Sequence, residues 1–203
     1  MHAVRRVALS AAGAIPAGLL LGVVTQGADH VLPALKWVGG LGVPWLLVAF
    51  CVGALARRRV AGAAGGAVAL VVATMTWYVL HAAATGRGIA HIVVVWSALA
   101  VVCGGVFGAA GAHWRAGHAA PVALLAGAFA GEALVLATEW PRHVAGTVLV
   151  AELAVAALLP FLLTRPLRAI PLVLALTAVA TIVMGAATDE IRDAARAAGW
   201  RGL

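Results

Sequence analysis

Apolar residues along this chain come in long unbroken runs, and short polar clusters separate them. Runs such as Val68 to Val72 and Ala151 to Leu159 do not alternate in the way a half-buried strand would. Each run is close to the roughly 20 residues that carry a helix across a hydrocarbon core of about 30 Å. In lipid every backbone amide must be paired internally, so the choice is helices or a closed barrel. Barrel strands would alternate over about 10 positions, and these runs do not. The pattern predicts helices at 7–26, 38–56, 60–85, 91–112, 119–138, 144–163 and 169–188. The expected fold is all-α: a polytopic transmembrane helix bundle of about seven helices, one domain over 1–188, with a polar tail over 189–203.

The links carry the charge. Gly27 to Trp37 holds Asp29, His30, Pro33 and Lys36, and the next link is Arg57-Arg58-Arg59. Gly86-Arg87-Gly88, His113 to His118, Glu139 to His143, and Thr164 to Arg168 follow. With the N-terminus in the cytoplasm, Arg5, Arg6, Arg57, Arg58, Arg59, Arg115, Arg165 and Arg168 fall inside, and Lys36, Arg87 and Arg142 outside. That asymmetry, eight against three, follows the positive-inside rule and predicts a cytoplasmic N-terminus. An odd helix count then puts the tail outside. The tail has Asp189, Glu190 and Asp193 before its arginines, which suits a short helix ending near Gly199, with Trp200 as an interfacial anchor.

Composition narrows the class further. The chain of 203 residues is 64% hydrophobic and 10% charged, with mean hydropathy +1.06. Soluble domains carry about 25% charged residues, so these polar residues could not coat a water-soluble particle. The net charge of +7 does not point to nucleic acid, because the basic residues are scattered through short links instead of forming one face. Cys51 and Cys103 lie inside apolar runs and read as small core hydrophobes. Val7 to Thr25 is longer than the apolar core of a signal peptide and six more such runs follow, so it is expected to remain as the first helix.

Small residues recur at four-residue spacing: Gly18 and Gly22, Gly62 and Gly66, Gly104 and Gly108, Gly127 and Gly131. Each pair opens a groove for a close helix neighbour, and packing within the monomer is the expected use. Pro121 and Pro171 suit first turns, whereas Pro16 and Pro160 fall inside helices.

Two formal charges lie well inside the spans, Glu132 in the fifth helix and Glu152 in the sixth. An ionisable group at that depth is costly in lipid and is turned inward as a rule. The two helices form a hairpin, which sets both carboxyls in the outer half of the membrane. Trp77, Tyr78 and His81 approach the same side on the third helix, and His91 and Trp96 on the fourth. Trp77 and His81 are four residues apart and share a face. These residues would form an outward polar pocket for a small cationic solute or a proton. Two nearby carboxyls cannot easily both ionise in low dielectric, so one would keep and exchange a proton, and the aromatics would offer cation–π contacts. The competing structural reading is a belt of interfacial aromatics with glutamates bonded to neighbouring helices. No H-E-x-x-H, P-loop or G-x-S-x-G occurs, so an enzyme is the third expectation behind a binding or scaffold role; His81, His91, Glu132 and Glu152 could ligate a metal but at no diagnostic spacing, and no metal or cofactor is expected.

The segments Ala17 to Gly22, Pro44 to Phe50, Trp77-Tyr78, Gly104 to Gly108, and His113-Trp114-Arg115, with Gly131-Glu132 and Glu152, resemble an uncharacterised actinobacterial integral membrane family, domain of unknown function six-five-one-eight. The resemblance implies a bacterial plasma membrane and no assigned activity. In size and helix content the chain is also similar to the substrate-binding subunits of energy-coupling-factor transporters. Those have six helices rather than seven, bind substrate at the outer side, and dock a partner through small first-helix residues; Ala11, Ala12, Ala14, Ala17 and Gly18 would match these. A solute-binding or transport component is the leading expectation. A scaffold or accessory subunit of a membrane complex is the alternative.

Overall fold

A computed structural model describes residues 2–31, 41–86, 92–139 and 142–197. Seven α-helices account for nearly all of them, and no strand occurs among the described residues. They are α1 (His2–Val31), α2 (Val43–Leu55), α3 (Arg59–Thr85), α4 (Ile92–Arg115), α5 (Ala120–Glu139), α6 (Arg142–Leu163) and α7 (Ile170–Ala197). Five are long and apolar enough to cross a membrane: Arg59–Thr85, Ile92–Arg115, Ala120–Ala137, Gly146–Leu163 and Leu167–Thr188. Two shorter apolar stretches, Gly13–Ala28 and Val43–Leu55, lie in α1 and α2. The protein is a multi-pass, all-helical membrane protein.

Local chemistry explains most boundaries. Gly86 ends α3 in the left-handed conformation (φ 66°), and its N–H donates to Ala82 O at 2.9 Å. Gly117, at φ 92°, turns the chain after α4. Pro44 and Pro121 sit in first turns, where a missing N–H costs nothing. Pro16 and Pro160 lie inside continuous helices.

Five ends depart from the sequence pattern: α1 starts at His2 rather than 7, α4 runs to Arg115 rather than 112, and three more follow. α1 runs through Gly27 and Asp29 to Val31, past the expected stop at residue 26. α7 continues through Asp189, Glu190 and Asp193 to Ala197, so the expected separate tail helix is the last turns of the final helix. No Gly or Pro interrupts Ala186 to Ala197, and its alanines favour helix. α2 begins at Val43 rather than 38; its 13 residues extend about 20 Å, short of the roughly 30 Å core. The expectations for Pro33, Lys36, Arg87, Trp140, Gly199 and Trp200 lie outside the described residues.

The helices group into two compact units, α1–α4 and α5–α7. In the first, glycines set the distances between helices. A Cβ on Gly18 or Gly22 would meet Ala69 O and Val72, or Ala73 O and Thr76, so α1 and α3 run parallel in register. Gly62 and Gly66 of α3 face Gly108 and Gly104 of α4, which makes that pair antiparallel. Gly53 of α2 meets Gly108 O, and Gly111 meets Phe50 O. Gly108 is thus the point where the backbones of α2, α3 and α4 converge. Ala14, Val52 and Ala69 fill the α1–α2–α3 contact, and Ala56, Ala61 and Ala112 the α2–α3–α4 contact. Lipid offers little hydrophobic drive for association, so close backbone contact and dispersion hold such helices together.

In the second unit α5 packs against both α6 and α7. Gly127 and Gly131 face Ala180, Thr181 and Gly185, so α5 and α7 run parallel. α5 is buried on most faces, with Val122, Leu125, Ala126, Ala133 and Leu136 fully enclosed. α6 and α7 present Val150, Leu158, Leu162, Leu172, Val179 and Ile182 outward, as lipid-facing surfaces do. Helix hydroxyls are satisfied locally: Thr76 donates to Val72 O, Thr177 to Val173 O and Thr181 to Thr177 O, each at 2.8 Å.

Candidate functional site

The candidate residues fall into two sets, one in each unit. In the second unit Glu132 and Glu152 are each only 5% exposed. Glu152 belongs to a buried stripe on α6, Val148–Glu152–Ala156–Pro160, at a strict four-residue spacing. α6 packs chiefly on α5, so this stripe is its α5-facing side. On α5, Glu132 is one residue beyond Gly131 and therefore lies about 100° around the helix from the α7-facing glycines. The residues one turn to either side of it, Ala128 and Leu136, are 2% and 0% exposed. Both carboxyls thus sit in the interior of a unit whose other buried side chains are mostly apolar.

Both helices are longer at the hairpin end than the apolar runs predict. Glu132 is about 10 Å from the end of α5 at Glu139, and Glu152 about 15 Å from the start of α6 at Arg142. The offset is about one helical turn. Side chains lean toward the N-terminus of their own helix. On the two arms of a hairpin those leans are opposite, so they narrow the offset.

The aromatic set is in the first unit. Trp77 and His81 stack face to face on α3, with ring centroids 4.8 Å apart and planes within 8°. Tyr78 meets the edge of Trp77 at 5.0 Å and 80°. All three are half-buried. The α3–α4 register, carried on from Gly66 and Gly104, puts the half-buried Trp96 near the level of Thr74. Trp96 therefore lies about one turn from Trp77 along the helix direction. His91 is outside the described residues, as are the side chains of Glu139 and His143. Ser97 is held by its own helix, its hydroxyl donating to Val93 O at 2.6 Å.

The chain belongs to the family of unknown function DUF6518, which matches residues 1–192. The family's span takes in α1–α6, α7 up to residue 192, and both candidate sets. No curated protein and no solved structure matches the chain.

Buried polar groups on α1 were not among the expected site residues. Thr25 is 2% exposed and donates to Leu21 O at 2.8 Å. Gln26 is 4% exposed, and neither Nε2 nor Oε1 has a hydrogen-bond partner among the described residues. Gln26 follows Gly18 and Gly22 at the same four-residue spacing, on the face that packs against α3. Extending that glycine face by one turn would have found it. Among the described residues no group of three His, Cys, Asp or Glu side chains is arranged to hold a metal ion.

Proposed function

We propose that this is a bacterial plasma-membrane protein, N-terminus inside, that binds a proton or a small cation at Glu132 and Glu152 as part of a solute-binding or transport function. The observation that carries the reading is the burial of both carboxyls, at 5% exposure each, on two helices that pack together. An acidic side chain at the centre of a lipid-spanning helix costs about 3 kcal/mol relative to an aqueous position. Leu at either position would fill nearly the same space without that cost. A protonated carboxyl can hand on its proton, and a pair of carboxylates neutralises a cation. Both uses repay burial through function rather than packing. The stacked Trp77–His81 pair, with Tyr78 at its edge, adds a polarisable aromatic surface in the first unit, suited to an organic cation.

The glycine faces do not supply the docking surface that the scaffold reading would use. Gly18, Gly22, Gly62, Gly66, Gly104 and Gly108 all face the chain's own backbone or side chains, so these faces are not open to a second protein. Gly104→Leu would disrupt the α3–α4 contact itself and would not report on a complex.

Dicyclohexylcarbodiimide, an apolar reagent that modifies protonated carboxyls within membranes, tests the proposal on the intact protein in liposomes. Labelling is expected at Glu132 or Glu152, lost in Glu132→Gln or Glu152→Gln, and reduced when a competing cation is added. Absence of labelling at both positions, with both variants indistinguishable from the parent in cation binding, would overturn the proposal.

A further inference from the structure

One end of the first unit is basic without any acid to balance it. The α2–α3 link carries Arg57, Arg58 and Arg59, all exposed. The end of α4 returns to the same place: Arg59 Nη2 donates to His113 Nε2 at 3.4 Å, and the exposed Arg115 follows two residues later. The parallel register of α1 on α3 brings the first turns of α1, which hold Arg5 and Arg6 in sequence, to this end as well. Residues 1–116 contain one acidic residue, Asp29. By the same register Asp29 lies level with the last turns of α3, about 30 Å from Arg59 along the helix axis. Arg57, Arg58 and Arg115 accordingly have no ion-pair partner among the described residues.

The surroundings of the arginines suit one kind of anion. Leu55 and Val60 bracket the three arginines in sequence and are 75% and 77% exposed. Trp114 is half-buried next to Arg115, its ring 5.9 Å from Phe50. Guanidinium groups in a row, with bare aliphatic side chains on either side and a tryptophan at the same level, match a phosphodiester headgroup with its acyl chains below it. A free anion in solution would have no use for the exposed Leu55 and Val60.

We propose that this end of the first unit, formed by Arg57, Arg58, Arg59 and Arg115, is a seat for the headgroup of an anionic phospholipid. Arg57 and Arg58 make the principal contacts, because Arg59 is already engaged with His113. The seat is independent of the carboxylates in the second unit, so either assignment can fail without the other.

The test uses the full-length protein in nanodiscs of phosphatidylcholine, alone or mixed in equal parts with phosphatidylglycerol. Lipid retained on the protein is counted by native mass spectrometry. Phosphatidylglycerol should be enriched over its share of the bilayer. Removing charge with Arg57→Gln and Arg58→Gln should lower the ratio of phosphatidylglycerol to phosphatidylcholine among the retained lipids by about fivefold for each arginine. The exposed pair Arg165 and Arg168, in the second unit, provides the control, and Arg165→Gln with Arg168→Gln should leave the enrichment unchanged. Tryptophan fluorescence checks that each variant stays folded, and the substituted side chains are exposed, so folding should hold. Equal losses from both arginine pairs would reduce the effect to general surface charge and overturn the seat. Displacement of the bound lipid by millimolar-range inorganic phosphate would overturn the assignment to a lipid headgroup.

Discussion

Gly108 and Gly105 of α4 provide a paired perturbation three residues apart on one helix. A Cβ on Gly108 would strike Gly62 O and lie 3.0 Å from both Gly62 C and Gly66 Cα. These are backbone atoms of a packed helix, which cannot rotate away as a side-chain tip can. A Cβ on Gly105 would meet nothing within 4 Å. Alanine contributes about 1 kcal/mol over glycine in a helix interior, and this applies equally to both positions. At Gly108 the clash adds an overpacking cost of about 3 kcal/mol, toward the upper end for a rigid neighbour. The net expectation is a loss of about 2 kcal/mol for Gly108→Ala and a gain of up to about 1 kcal/mol for Gly105→Ala. For a chain of this length that is a fall of roughly 4–8 °C and a rise of roughly 2–4 °C in the unfolding midpoint. Thermal unfolding in mild detergent, followed by fluorescence of the seven tryptophans, reads both. Equal midpoints for the two variants would refute the close α3–α4 approach. Dissociation of an oligomer by Gly108→Ala, without loss of monomer stability, would reassign the glycine face to a partner chain.

Three further outcomes follow from particular side chains. Gln26→Leu removes a buried amide with no partner among the described residues, so thermal stability in detergent should rise by about 1–3 kcal/mol. A fall would show that the carboxamide is engaged by a group outside the described residues. Gly86→Ala forces a left-handed backbone (φ 66°) on a residue with a Cβ; a loss of about 1 kcal/mol is expected, with faster amide exchange in the last turn of α3. His81→Ala should shift the tryptophan emission of the parent and of Trp96→Phe but not that of Trp77→Phe, because the 4.8 Å stack is with Trp77.

The sequence by itself determined the class and most of the secondary structure. Unbroken apolar runs in a chain with 10% charged residues leave lipid as the only consistent solvent, and lipid demands helices. Glycine, proline and arginine punctuation then fixed most boundaries, such as the stop at Gly86 and the start near Pro121. The four glycine pairs and the two interior glutamates were also legible, since each is conspicuous against an apolar background. What the sequence could not reveal is which faces meet. A glycine pair opens a groove without naming its occupant; only the tertiary structure shows that Gly108 receives α2 and α3 together, or that Gly127 and Gly131 receive α7 and not their hairpin neighbour α6. The grouping of α1–α4 apart from α5–α7 is likewise absent from periodicity, which is a property of one helix at a time. The continuation of α1 and α7 past their apolar runs was missed for a related reason. Hydropathy reports where lipid ends, whereas a helix ends where its backbone finds another partner, and Ala186 to Ala197 offers none.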